Sequence, residues 1–175
     1  MQTIANWLVR SDRSIFTIIN KQLQCNVLDV IMPRITHLGG ATFTISSLLI
    51  LLIFTFGEQR FWTIEAIASL TISHIFVHFI KKLYGRKRPY MIMSDARIFD
   101  NPLVDYSFPS GHTTASFAIS IVFALHSFIL GVILVPLAAV IGISRMYLGL
   151  HYPTDVFVGA SLGSLTAILV VQYFA

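Results

Sequence analysis

Apolar residues run along this chain in long blocks with short polar breaks, and the block lengths set the first expectation. Ile35 to Phe56 and Phe61 to Ile80 are each about the 20 residues that a helix needs to cross a bilayer. Gly57-Glu58-Gln59-Arg60 is the polar turn between them, and Trp62 is placed as an interfacial anchor. From Thr113 to Ile143 the run is roughly 30 residues, too long for one crossing and a little short for two. His126-Ser127 interrupts it, with Gly131 following, so a tight hairpin is expected there between spans at about 112–127 and 128–146. Val156 to the C-terminus supplies the last span, closing on Gln172-Tyr173. The expected fold is all-α: a polytopic membrane helical bundle of about five spans behind interfacial N-terminal helices.

Residues 1–34 read as that amphipathic N-terminal segment. Trp7, Leu8, Ile15, Phe16, Ile18 and Ile19 recur at helical spacing, with Arg10, Arg13 and Lys21 free to snorkel toward headgroups. Arg10, Asp12 and Arg13 interrupt any continuous apolar core, so no cleaved signal peptide is expected. Lys81 to Pro109 is the long polar segment, carrying Gly85, Pro89, Pro102 and Pro109, and reads as an ordered loop with short helices. Residues 1–175 are expected to form a single membrane domain in which 81–111 is the loop that carries chemistry.

Composition supports the membrane reading. The chain is 55% hydrophobic and 11% charged, with mean hydropathy +0.77. A soluble domain carries roughly 25% charged residues, so there is too little polar material here to cover a water-facing surface. The net charge is +4, and the positives concentrate between Lys81 and Arg97 beside apolar spans. That placement fits an anionic headgroup or phosphate rather than nucleic acid. Cys25 is the single cysteine, which excludes an intrachain disulfide and a cysteine metal cluster.

Three patches hold most of the reactive side chains: Lys81 with Arg88-Pro89, Pro109-Ser110-Gly111-His112, and Ser144-Arg145 with His151 and Asp155. The expected hairpin returns the third patch to the membrane face of the second, and the polar loop puts the first there too. The residue types suit phosphoryl transfer, where negative charge must be held and a poor leaving group protonated. Lys81, Arg88 and Arg145 supply fixed positive charge. Ser110 and Gly111 open a helix whose backbone N–H groups form an anion site. A neutral His151 is a good nucleophile if Asp155, one turn into the last helix behind Pro153, holds Nδ1–H so that Nε2 faces phosphorus. His112 is suited to protonating the leaving oxygen and later activating water. With three cations present, neither a metal nor a cofactor is required.

These patches resemble the tripartite signature of the type 2 phosphatidic acid phosphatase superfamily: Lys-x6-Arg-Pro, Pro-Ser-Gly-His and Ser-Arg-x5-His-x3-Asp. Lys81 to Pro89, Pro109 to His112 and Ser144 to Asp155 match every fixed position with the spacing intact. The resemblance runs from about Phe61 to the C-terminus and implies metal-independent lipid dephosphorylation. It also implies the roles above: His151 as nucleophile, Asp155 as its partner, His112 as acid and base, and Lys81, Arg88, Ser110, Gly111 and Arg145 on the phosphate. Small bacterial members of this size are similar to undecaprenyl pyrophosphate or phosphatidylglycerophosphate phosphatases. Phosphatidic acid phosphatase, or a lipid phosphotransferase using the same phosphohistidine, is the alternative. The implied partners are a lipid phosphate or pyrophosphate and the surrounding membrane lipids.

Other polar residues carry plainer expectations. Lys82, Arg86 and Lys87 read as a juxtamembrane cluster on anionic lipid. His74 and His78, one turn apart, read as packing or hydrogen-bonding groups, since two ligands are too few for a metal. Glu65 is expected to be solvated or bonded to a neighbour near the opposite interface, and His37, His126 and Cys25 to be structural. The family resemblance implies a multi-pass plasma membrane protein with its site on the extracytoplasmic face. Positive charge argues the other way: with Lys81, Arg88 and Arg145 set aside, the site face carries eight Lys+Arg and the other face Arg60.

Overall fold

A computed structural model describes residues 2–99 and 104–174; residues 100–103, including Pro102 of the loop, lie outside the described residues, as do the side chains of residues 2–5 and of Leu8. The described residues form eight α-helices. The N-terminal segment gives α1 (Gln2–Thr17), a π turn at Ile18–Gln22, and α2 (Asn26–Ile35), which continues into a 3-10 turn at Thr36–Gly39. The spanning region follows as α3 (Ala41–Phe54) and α4 (Gly57–Tyr84). The short α5 (Pro89–Ile92) lies in the polar loop. After that loop come α6 (Gly111–His126), α7 (Phe128–Tyr147) and α8 (Pro153–Phe174). The chain turns between α6 and α7 at Ser127, where the sequence places the hairpin, and the Ser127 hydroxyl accepts from Leu130 N–H at 3.5 Å.

Among the described residues, three helical stretches are long and apolar enough to cross a membrane: α4 with α5, α7, and α8. A fourth is available if the 55° bend between Asn26–Gly39 and Ala41–Phe54 lies within one span. α6 accounts for much of the difference from five. Its 16 residues rise about 24 Å, short of a hydrocarbon core of about 30 Å. Its inner face carries Thr113, Thr114, Ser116 and Ser120, which are buried.

α6 is the centre of the bundle, in contact with α4, α7 and α8. Leu70, Ala115, Val122, Phe123 and Ala167 form the apolar core between them, while Ile75, Phe79, Phe128, Ile129, Phe157 and Leu169 point outward. Between helices in lipid, small residues and interhelical hydrogen bonds substitute for the hydrophobic effect. Ser69 Oγ donates to the Ala118 carbonyl at 3.2 Å, and Ser120 Oγ to the Leu134 carbonyl at 3.1 Å. Gly159 and Gly163 let α8 close on α6. A Cβ at Gly163 would stand 2.5 Å from the Thr114 carbonyl oxygen, and one at Gly159 would stand 2.7 Å from that of Ser110. Gly163→Val is therefore expected to cost about 2 kcal/mol or more, read as a lowered Tm in detergent.

The opposite end of the bundle is pinned by Glu65. It is 1% exposed, so it is not solvated, and its Oε2 lies 2.5 Å from His126 Nε2. The His126 ring stacks on Trp62 at 5.0 Å.

Candidate active site

Lys81 lies in the last turn of α4, which ends at Gly85 in the left-handed conformation (φ 53°). The loop then carries Arg88 into the protein, where it is 1% exposed. Ser110 caps α6, Arg145 lies in the last turn of α7, and His151 occupies the turn before α8. The hairpin and the loop bring all three patches to one end of the bundle, as the sequence predicts.

His151 is 2% exposed, and its Nε2 is 3.1 Å from Arg88 Nη1. A guanidinium nitrogen only donates, so Nε2 is the accepting, unprotonated nitrogen, and the proton of the neutral ring is on Nδ1. Nδ1 is 3.6 Å from Asp155 Oδ2, which is closer to an approach than to a hydrogen bond. Oδ2 instead accepts from Tyr152 N–H at 2.8 Å. Burial, then the charges of Arg145, Arg88 and Lys81, push the His151 imidazolium pKa well below its ordinary value. The ring is held neutral, the form a nucleophile needs.

Arg88 is fixed from several sides. Nε donates to the Asp105 carbonyl at 2.9 Å, Nη1 to the Leu150 carbonyl at 2.9 Å, and Nη2 to Asp105 Oδ1 at 2.5 Å. Arg145 differs. It is 3% exposed and its Nη1 donates to Thr36 Oγ1 at 2.8 Å, but Nε and Nη2 have no partner. Thr36 comes from the N-terminal third, where the sequence offers no motif.

Ser110 is fully buried, and its hydroxyl accepts from Thr113 Oγ1 at 2.9 Å, which leaves its own hydrogen to donate. Its backbone N–H is engaged with the Asp155 carbonyl at 3.0 Å. The unclaimed donors of the first turn are thus Gly111, His112 and Thr113, ahead of the bond from Thr114 N–H to the Ser110 carbonyl. His112 is half-buried and lies in the fields of Arg145, His151, Arg88 and His37. Its ring packs beside the 3-10 turn, where a Cβ on Gly40 would come 3.6 Å from Nε2.

Two carboxylates and one arginine go beyond the sequence reading. Asp105 binds both Lys81, at 2.5 Å, and Arg88. Burial would raise its carboxyl pKa, but Lys81 and Arg88 hold it down at about 2. A carboxylate five residues before Ser110, inside a basic loop, was the available signal. Arg86 is not a lipid-facing charge: it donates to Asp155 Oδ1 at 2.7 Å, to Thr154 Oγ1 at 2.7 Å and to Asp12 Oδ2 at 2.5 Å. Asp12 is 4% exposed, although its neighbours Arg10 and Arg13 made it look like interfacial punctuation. His74 is spent on the Leu70 carbonyl (3.1 Å), and no group of three His, Cys, Asp or Glu capable of holding a metal occurs among the described residues.

The model of the PAP2 superfamily matches residues 62–175. The chain belongs to the PAP2 superfamily. Among curated PAP2 relatives, the bacitracin transport permease protein BcrC of Bacillus licheniformis is 32% identical over 113 residues, 65% of this chain and 56% of that protein. The undecaprenyl-diphosphatase BcrC of Bacillus subtilis is 32% identical over 154 residues, covering 85% and 73%. Among solved structures, Aquifex aeolicus LpxE superposes with a TM-score of 0.83 at 30% identity, covering 91% of this chain and 94% of that one. The helical membrane fold is thus the PAP2 fold, and the protein is a phosphoric ester hydrolase of the lipid phosphate class.

Proposed function

We propose that the chain hydrolyses the terminal phosphate of a polyprenyl pyrophosphate, undecaprenyl pyrophosphate being the best match, through a phosphohistidine on His151. The contact between Arg88 Nη1 and His151 Nε2 carries this reading, because it fixes the nucleophilic tautomer beside a phosphate-binding guanidinium. Nε2 attacks phosphorus, forming the P–N bond as the P–O bond to the lipid breaks. Once the phosphate dianion offsets the charges of Arg145 and Arg88 around it, His112 takes up a proton from solvent and gives it to the leaving oxygen. Water then attacks phosphorus, His112 takes the proton, the P–N bond breaks and phosphate leaves. Arg88 and the two unpartnered nitrogens of Arg145, with Lys81, the Ser110 hydroxyl and the Gly111 N–H, take the phosphate oxygens.

A lipid tail has a place to lie. A groove of about 220 Å³ runs between α3, α6 and α7, lined by Leu38, Phe43, Ser116, Phe123, Leu134 and Ile141. It begins one turn from His112, whose carbonyl accepts from Ser116 Oγ at 2.9 Å.

The test is phosphate release by purified protein in detergent with chelator present. Undecaprenyl pyrophosphate should be turned over with a higher kcat/KM than phosphatidylglycerophosphate, phosphatidic acid or diacylglycerol pyrophosphate. A phosphorylated acceptor in place of free phosphate would make the protein a phosphotransferase, and loss of activity under chelation would overturn the metal-independent chemistry.

We place the site on the extracytoplasmic face of the plasma membrane. Cys25, exposed at the start of α2 on the site side, is a native probe. A thiol reagent barred from the cytoplasm should label Cys25 in intact cells and should not label Gln59→Cys in a Cys25→Ser background. The reverse pattern would put the site inside.

A further inference from the structure

The reading of His151 and Asp155 as a catalytic pair leaves open what holds Asp155 in position. Asp155 is fully buried at the first turn of α8. Its Oδ2 is fixed by Tyr152 N–H and approaches His151 Nδ1 at 3.6 Å, and its Oδ1 is held by Arg86 Nη1 at 2.7 Å. Rotation of the carboxylate toward or away from His151 would therefore break the bond to Arg86.

Arg86 is itself clamped. Its guanidinium lies 4.1 Å over the Tyr152 ring, its Nη1 also donates to Thr154 Oγ1, and its Nη2 is bound to Asp12 Oδ2. Asp12 closes the circuit on the same turn: Oδ1 accepts from Thr154 N–H at 2.9 Å and Oδ2 from the Thr154 hydroxyl at 2.7 Å. The Thr154 hydroxyl thus accepts from Arg86 and donates to Asp12, so its single donor is spent on the circuit. One turn further along α1, the buried Phe16 packs on Tyr152 with ring centroids 5.7 Å apart. Away from Tyr152, α1 exposes Trp7 and Ile15, as an interfacial helix does.

We propose that Asp12 and Arg86 are positioning residues for the catalytic pair: through them, the interfacial helix α1 sets the orientation of Asp155 against His151. The proposal rests on the phosphohistidine reading above. The sequence Asp12, Arg86, Asp155, His151 runs from the membrane surface to the nucleophile through charged contacts that are largely withdrawn from water, where such bonds are strong and directional. Neither Asp12 nor Arg86 need touch the substrate. Asn at position 12 keeps the shape and an acceptor for Thr154 N–H but loses the charge that holds Arg86. Lys at position 86 keeps a charge for Asp155 but cannot fork to both carboxylates.

The decisive experiment is a double-variant cycle on purified protein with undecaprenyl pyrophosphate under steady-state turnover, supplemented by single-turnover rates at excess enzyme for variants too slow to follow. Asp12→Asn and Arg86→Lys should each lower kcat about tenfold to a hundredfold, the scale of a misplaced catalytic group, with KM unchanged. Asp12→Glu should recover part of the loss. In an Asp155→Asn background, where nothing remains to be positioned, neither substitution should lower the rate further. Equal losses with and without Asp155, a rise in KM at unchanged kcat, or full activity in Arg86→Lys would overturn the proposal. If Asp12→Asn does not fold, as judged by its Tm, Arg86→Lys alone decides it. A wild-type protein that releases no phosphate would instead overturn the proposed function, which separates the two failures.

Discussion

His151→Ala is expected to reduce phosphate release by about 10³-fold or more, because it removes the group that forms the covalent bond rather than one that assists it. The loss should fall on kcat while the protein keeps its Tm. Arg88, the side chain that faces Nε2, retains the Leu150 carbonyl and Asp105 as acceptors. With labelled substrate quenched during turnover, the wild-type protein should carry protein-bound phosphate that is labile to acid and stable to alkali, as a phosphoramidate is, and His151→Ala should carry none. A variant that kept more than a few per cent of its activity would mean that water attacks phosphorus directly.

Much of the fold could be read from the lengths of the apolar runs. A run that was too long for one crossing and interrupted by His126-Ser127 had to turn there, and that turn returns His151 to His112. The number of crossings could not be read so directly. α6 is short and threaded with Thr and Ser because it is surrounded by protein, so its hydropathy reports neighbours rather than lipid. The bend before α3 is set by Gly40 in an extended conformation, and a periodic apolar pattern does not register such a break.

The site divides along the same line. Lys81, Arg88, Ser110, Gly111, His112, Arg145, His151 and Asp155 could be found because the chemistry fixes their types and spacings along one stretch of chain. Asp12 and Thr36 could not. Each meets its partner across a separation that no local pattern encodes, and Asp12 meets Arg86 at 74 residues' distance. Arg86 stood inside a basic cluster, where charge alone does not distinguish a lipid contact from an ion pair. The N-terminal helices therefore have a direct part in the site, although the family match begins at residue 62.

Arg145 and Arg88, both buried in the same site, should lose activity alike on substitution by Met but differ in its effect on stability. Arg145→Met is expected to lower kcat/KM by about 10²- to 10³-fold, the scale of losing one preorganised charge donor to the transition state. It should nevertheless leave the Tm unchanged or raise it. The guanidinium is buried with Nε and Nη2 unpartnered, an arrangement that costs stability until an anion arrives, and Met fills much of its volume without that penalty. The lost charge-assisted bond to Thr36 is worth about 1.5–3 kcal/mol, which is why the Tm is expected to stay level rather than rise far. Inorganic phosphate should therefore raise the Tm of the wild type, by about 2.7 kcal/mol of stability at a hundred times its Kd, and leave that of Arg145→Met nearly unmoved. Arg88→Met should lose activity and also lower the Tm, since the Asp105 and Leu150 carbonyls and the Asp105 carboxylate would each lose a donor. A Tm for Arg145→Met several degrees below the wild type, with phosphate still stabilising it, would show that Arg145 supports the fold and that the phosphate is bound elsewhere.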